Sequence, residues 1–556
     1  MFTGKKARRQ LLFWVTLALS AGGTYLPTGT EGALWEMPTA YAANDVIIAP
    51  NDTTVSSGIS GTSKTGSVTD NHVTVGTAGT ANRPIVNYGG ATAGGSSTTS
   101  TTVSGNVLTI NNIWVGNGYI HAGLSGTGAV TGNSAEFKAG TAANSFLYGG
   151  YLSRTSGTNA VEENSVTLAG GTVDAVVGGS NAGRGAITKN SATVTGGTVN
   201  KTVFGGGTLN TSSTGALTEN KVTISGGTIG NNAIGAYNHG NGLVSKNAVT
   251  VTNGTVNGNF TAGGYAHAGT TGAVKENTAT MSGGQVKYLF GGMSFGTGAL
   301  EKNKVTFSGG TANLLVGGYA TGGNAAGNTV EVSGGTVSSM AYGANVTGAG
   351  TATGNKVRLT SGTTGGLVGG FTAGAGNAAG NTVEIAGGTT SVIAAGSTSG
   401  AGSATGNTIT ITGGTVTTGV YGGNATGTGA TTGNTVNIGD GTSALAAGTN
   451  LSTAKIYGGS NATVTGNTLN VKAANVAADT VGNFEKYVFH LNNTFTPGAT
   501  MLTVNTLGTG AKLSKFSVEG FDDWLTAHPN MGTTTLLKSA VANGLTFAAE
   551  GGANNA

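Results

Sequence analysis

Along most of the chain, apolar and polar positions alternate for four to six residues, stop at a pair of glycines, and begin again. In Asn220-Lys221-Val222-Thr223-Ile224-Ser225 the β-branched apolar residues alternate with Thr and Ser, the period-two pattern of a strand with one buried and one wet face. Gly226-Gly227-Thr228 comes next, matched by Gly170-Gly171-Thr172, Gly196-Gly197-Thr198, Gly334-Gly335-Thr336 and Gly413-Gly414-Thr415. Paired glycines permit a positive φ, so these points predict a sharp corner. A second strand succeeds it, Val199 to Phe204 in one copy and Val416 to Tyr421 in another, and it ends in a further Gly-Gly. A segment of Gly, Ala, Thr, Asn and Ser completes the copy, as in residues 424–430, and reads as a solvent-facing loop of variable length.

An Asn opens each copy: Asn71, Asn106, Asn133, Asn164, Asn190, Asn220, Asn247, Asn277, Asn303, Asn328, Asn355, Asn381, Asn407, Asn434 and Asn467. These fifteen marks span 396 residues, a mean period of about 28, within the range of stacked supersecondary units. One copy has too few small aliphatic residues to offset the ordering of its own backbone at ~1–2 kcal/mol per residue. The copies must therefore stack, with each strand pairing its equivalents above and below at roughly 4.8 Å and the Asn side chains forming a ladder. That geometry is a parallel β-helix of about fifteen coils, about 70 Å of rod. Val222, Ile224, Val305, Phe307, Val330, Val332, Ile409 and Ile411 are expected to face inward, with Thr223, Thr306, Glu331 and Thr410 outward.

The ends differ from the array. Residues 1–42 read as a signal peptide: Lys5, Lys6, Arg8 and Arg9, then the apolar run Leu11 to Leu19, then Ala40-Tyr41-Ala42 as a cleavage signal before Ala43. An uncleaved anchor is the minor alternative. Residues 43–70 lack a clear repeat and read as an amino-terminal cap, and 71–475 form the array. From 476 to 556 larger side chains gather, including Tyr487-Val488-Phe489-His490-Leu491, Met501-Leu502-Thr503-Val504 and Phe521-Asp522-Asp523-Trp524-Leu525. This part reads as a carboxy-terminal cap of strands and one short helix near Trp524.

Charge changes the functional picture. Removal of residues 1–42 leaves 21 Lys and Arg against 19 Asp and Glu, which gives no basic patch for nucleic acid. There is no cysteine, so stacking rather than a disulfide framework must hold the exported chain. Charged residues precede the Asn in copies up to Asn303 (Glu162-Glu163, Lys189, Glu219, Lys246, Lys275-Glu276, Glu301-Lys302), and glycine takes their place later. They read first as a solvated rim that opposes lateral aggregation, and alternatively as a binding stripe.

Candidate chemistry is sparse. Tyr148, Phe204, Phe290, Tyr342, Tyr421 and Tyr457 each stand just before a glycine at one place in the second strand, where Val177, Val316 or Val368 stand in other copies. The column reads as corner packing, with stacking on sugar rings as the functional alternative. His121, His239 and His267 are isolated in sequence, so neither a zinc site nor any other metal or cofactor is expected. Gly292-Met293-Ser294-Phe295-Gly296, with Asp440 and His490 later in the chain, has the order of a hydrolase triad, but it falls in a repeat with no helix after it. The glutamates show no recurring acidic partner of the kind a glycosidase needs.

The signal segment, the coils of Asn-x-Val-Thr-Ile-x-Gly-Gly-Thr type, and the closing Tyr487 to Leu491 with Met501 to Val504 resemble the passenger region of Gram-negative autotransporter proteins. The resemblance implies a right-handed parallel β-helix and export through an outer-membrane β-barrel translocator. It also implies an adhesin-like role, without catalysis, toward host or bacterial surface glycans or proteins. The alternative is an exported polysaccharide-active β-helix enzyme, a lyase or glycosidase. No series of membrane strands precedes Ala556, so the expectation is either a piece of a longer protein or a passenger released by another route. The expected location is secreted or on the cell surface via the periplasm, held at the outer membrane if a barrel lies further along the chain or is supplied in trans.

Overall fold

A computed structural model describes residues 45–48, 54–55, 59–60, 68–76, 85–88, 91–441, 444–460, 463–493, 495–508, 515–529 and 534–541. The signal segment with Ala40, Ala42 and Ala43 lies outside the described residues. The chain forms two compact units, residues 1–298 and 299–556. It is an all-β parallel solenoid of about fifteen turns, in which each repeat makes one turn.

A turn of the first unit shows how the sequence makes the shape. Lys221–Ile224 pairs in parallel with Ser191–Val194 and with Ala248–Val251, setting Val222 on Ala192 and Val249, and Ile224 on Val194 and Val251. Because the side-chain period is two, every copy sends the same two residues inward. Val222, Ile224, Val305, Phe307, Val330, Val332, Ile409 and Ile411 are buried, while Thr223, Thr306, Glu331 and Thr410 are half-exposed, the expected register. At the corner the second glycine of Gly-Gly-Thr has the positive φ its sequence suggests: +78° at Gly227, +77° at Gly197 and +84° at Gly414. The second strand comes after it, Ala233–Asn238 in this turn; in the second unit, strand and corner merge into single long strands such as Thr408–Ala425.

The expectation of a plain loop before each Asn is corrected. That segment carries a third strand of two residues, and these build a parallel ladder of their own: Val161–Glu162, Ile187–Thr188, Leu217–Thr218 and Val244–Ser245 in the first unit, and Ala325–Ala326, Ala352–Thr353, Ala378–Ala379 and Ala404–Thr405 in the second. Its first residue is fully buried in these turns, as at Leu217 and Val244, so the solenoid has three walls rather than two.

Between the short strand and the Asn, one residue turns the chain in the left-handed region. It is Glu163 (φ 57°), Lys189 (56°), Glu219 (59°), Lys246 (57°) or Lys302 (53°) in some turns, and Gly327 (63°), Gly354 (61°) or Gly406 (61°) in others. The shift from charged residues to glycine is thus a change of occupant at one backbone corner. The charges also pair in part: Lys189 Nζ lies 3.3 Å from Glu163 in the turn before it.

Behind that corner the Asn side chains are buried and form a ladder in each unit. Asn190 Nδ2 donates to Asn220 Oδ1 at 3.0 Å, and Asn220 to Asn247 at 3.0 Å; in the second unit Asn328 donates to Asn355 at 3.0 Å and Asn407 to Asn434 at 2.9 Å. Each Nδ2 also caps a main-chain carbonyl of the short-strand wall, as Asn220 does at Ile187. The Gly-Gly that ends the second strand makes room for this ladder. A Cβ on Gly206 would stand 2.5 Å from Asn220 Oδ1, and one on Gly370 would stand 2.6 Å from Asn381 Cγ. Ala236 and Ala344 occupy the same place in other turns, so a single methyl is accommodated.

The chain segments read as caps continue the parallel pairing. Asp45–Ile48 lies beside His72–Val75, and Val68–Thr69 beside Val103–Ser104. After residue 475, Lys486–His490 pairs with Thr468–Val471 and Phe516–Glu519 with Tyr487–His490. A short helix, Phe521–Ala527, buries Trp524, whose Nε1–H donates to Phe495 O at 2.8 Å.

Candidate ligand groove

The second-strand wall carries the aromatic residues, and its pairing sets them in columns. In the first unit Tyr148, Val177, Phe204, Ile234, Ala262 and Phe290 share a column; in the second, Val316, Tyr342, Val368, Ala394, Tyr421 and Tyr457 do. Tyr148 and Phe290 are buried, and Phe204, Tyr342, Tyr421 and Tyr457 are half-buried. A second column, three residues further on, has no counterpart among the sequence expectations: Tyr151, Tyr237 and Tyr265 in the first unit, Tyr319 and Phe371 in the second. The Gly-Gly between the columns interrupts the alternation and lets residues three apart share the outer side.

Most of these rings stack on one another. Phe204 and Tyr237 are parallel within 10° at 4.7 Å between centroids, and Tyr237 and Tyr265 within 11° at 4.8 Å, the rise of one turn. Inside such a stack the ring faces are already used, which leaves only edges for a ligand. His121 belongs to the same packing. It is buried, lies nearly parallel to Tyr148 and Tyr151 at 5.2 and 5.8 Å, and neither ring nitrogen has a hydrogen-bond partner. Burial pushes its pKa down to about 3, so the imidazole is neutral.

In the second unit one aromatic pair lines a groove. Tyr421 and Tyr457 are stacked at 5.8 Å and 19°; the partner of Tyr457 in the next turn is Gly482, which brings no ring to the stack, and Gly508 lies against the Tyr457 ring, where an added Cβ would stand 3.0 Å from Cε1. Just beyond, the chain leaves the wall at Asn483 in the left-handed conformation (φ 58°). The step so formed is a groove of about 670 Å³ lined by Tyr421, Asn424, Thr426, Tyr457, Ser460 and Asn483 with neighbouring main chain. The Ser460 hydroxyl donates to Asn424 Oδ1 at 2.8 Å and accepts from the Ala425 N–H at 2.9 Å; Asn483 Nδ2 donates to Gly459 O at 2.6 Å. Aromatic carbon beside neutral amides and hydroxyls, with no charged side chain in the lining, suits an uncharged polar ligand.

The remaining sequence candidates lie elsewhere on the walls. Ser294 is fully buried at the end of strand Gln285–Ser294, so the Gly-x-Ser-x-Gly string presents no exposed nucleophile. His490 lies against Glu519 at 3.0 Å. Glu331 and Glu384, on one outer column with Arg358 between them, are held by Lys304 at 2.7 Å and Lys356 at 2.6 Å, and Asp174 by Lys201 at 2.7 Å. His239 and His267, isolated in sequence, are brought together, with ring centroids 3.8 Å apart. Among the described residues no group of three or more His, Asp or Glu could hold a metal ion. Comparison of the chain with protein-family profiles, curated proteins and solved structures found no match.

Proposed function

We propose that the chain is a non-enzymatic, exported passenger of the autotransporter type that mediates attachment or aggregation. It reaches the medium or the cell surface through the periplasm, with an outer-membrane β-barrel in the same chain or in trans as its translocator. Its partners are surface glycans or proteins, and the Tyr421–Tyr457 groove is where contact is made. The observation that carries this reading is that groove: the paired rings of Tyr421 and Tyr457, edged by Asn424, Ser460 and Asn483. Extended stacked walls suit display, because each turn adds surface without needing a new core.

The test is a pair of assays on purified residues 43–556. Binding to bacterial and host cells and to immobilised glycans is measured for the parent, for Tyr457→Ala and for Ser460→Ala, alongside release of reducing or unsaturated ends from polysaccharides. Saturable binding that falls at least about tenfold in Tyr457→Ala, without turnover, is the expected result, since an aromatic anchor is worth about 1.4 kcal/mol or more. Turnover of any polysaccharide would replace this reading with the lyase or glycosidase alternative.

A further inference from the structure

Tyr237 and Tyr265 are 28 positions apart in sequence and stand opposite each other in the paired strands Ala233–Asn238 and Thr261–Ala266. The pairing holds their backbones one turn apart, and their rings lie 4.8 Å between centroids with planes within 11°. Phe204, in the turn before, stacks on Tyr237 at 4.7 Å, and Met293 is opposite Tyr265 in the turn after, so two phenols meet between side chains that are not phenols. The Tyr237 hydroxyl lies 2.7 Å from His239 Nε2. With the imidazole proton on Nδ1, Nε2 accepts this hydrogen bond and is placed to take the phenolic proton. Tyr148 and Tyr151 are nearly as close, at 4.9 Å, but the imidazole beside them, His121, has no hydrogen-bond partner at either nitrogen. The Tyr237–Tyr265 pair thus combines a stacked phenol with a base, in a chain that has no cysteine.

We propose that Tyr237 and Tyr265 are a site of oxidative cross-linking, joined as dityrosine by a one-electron oxidant of the haem-peroxidase class, with His239 as the proton acceptor. Tyr237 is half-exposed and Tyr265 is 7% exposed, so the oxidant takes its electron at Tyr237 and the hole passes to Tyr265 across the stack. A second oxidation leaves a phenoxyl radical on each ring. Each ring has then given up one electron and its phenolic proton, that of Tyr237 to His239 Nε2 and that of Tyr265 to water. The unpaired electrons occupy π orbitals perpendicular to the rings, so near-parallel faces direct the orbitals of the ortho carbons toward each other. One carbon–carbon bond forms between two ortho carbons, the hydrogens of those carbons leave as protons, and the oxygens regain theirs as aromaticity returns. Two hydrogen atoms are lost per cross-link, while one hydrogen peroxide is reduced to two waters. The bond closes a loop of one turn and constrains the unfolded chain as a disulfide would.

The whole chain is treated at low concentration with a haem peroxidase and limiting hydrogen peroxide, then digested with trypsin. Cleavage after Lys221, Lys246 and Lys275 puts Tyr237 in the peptide 222–246 and Tyr265 in 247–275. The expected product is a single chain with dityrosine fluorescence in which these two peptides are joined, at their summed mass less two hydrogens. Tyr237→Phe and Tyr265→Phe keep the stacked rings and should lose this product entirely. His239→Phe keeps a ring on His267 but offers no acceptor, and should slow formation of the product by about tenfold or more. Oxidation of other tyrosines without the joined peptides, dityrosine only between separate chains, or a rate in His239→Phe equal to the parent's would each overturn the proposal.

Discussion

Asn407 Oδ1 accepts two hydrogen bonds from Asn381, one from its main-chain N–H at 2.9 Å and one from its side-chain Nδ2 at 3.0 Å. One oxygen thus fixes both the backbone and the side chain of the turn before, and the pattern repeats from Asn355 to Asn381 at the same two distances. The ladder couples the turns at a corner where the Asn N–H goes to a side-chain oxygen, while the Asn381 carbonyl accepts from the Thr408 N–H of the next turn at 2.9 Å. Replacement of Asn381 by Ala removes the acceptor for two Asn355 donors and the donor that caps Ala352 O. We expect a loss of about 3 kcal/mol from the unsatisfied buried groups, read as a lower urea midpoint and faster exchange of the Asn355 amide.

The left-handed corner beside the ladder gives a second expectation of opposite sign. Lys189 holds φ at 56°, where an L side chain costs ~1–2 kcal/mol, and its ion pair with Glu163 is too exposed to repay much of that. Lys189→Gly should stabilise by a few tenths to about 1 kcal/mol, the gain being reduced by the greater freedom of glycine in the unfolded chain. Gly354→Ala should destabilise by a similar amount, although a Cβ there meets nothing within 4 Å. Urea midpoints of the two variants check both signs.

Acid should weaken the first unit through His121. Its folded pKa is near 3 against 6.5 for the free group, so below pH 6.5 the unfolded chain takes up a proton that the folded chain refuses. The stabilising contribution is full above pH 6.5 and is lost as the pH falls from there toward 3. His239 is shifted in the same direction and adds to the slope. In His121→Phe, which keeps a ring between Tyr148 and Tyr151, melting temperature should fall less steeply over this window than in the parent.

Much of the fold was legible in the sequence because the forces are local and repeated. Alternation at Val222 and Ile224, the glycine corner at Gly227 and the recurring Asn each state one physical requirement in copy after copy. The two-residue wall was not legible, because Val244-Ser245 is too short to show a period and lies in a stretch of loop composition. The column of Tyr151, Tyr237 and Tyr265 was hidden by the Gly-Gly that breaks alternation just before it. His239 and His267 looked isolated because local spacing rules describe one helix or strand, whereas here neighbours are a whole turn apart. The groove depends on which residue is opposite Tyr457 in the next turn, and only the pairing shows that it is Gly482, which adds no further ring.

All of these contacts rest on one repeat making one turn, and a distance between side chains two turns apart tests it directly. Thr223 is opposite Thr250 and Thr250 opposite Thr280, all on the outer side of the four-residue wall. Spin labels on Thr223→Cys and Thr280→Cys, in a chain with no native cysteine, should sit on backbones roughly 9.6 Å apart, two strand spacings, and broaden each other's resonance strongly. The account predicts that broadening, unchanged on dilution with unlabelled protein and lost in urea. Spectra equal to the sum of the two single labels would place these residues, 57 positions apart in sequence, on different columns and contradict the solenoid register.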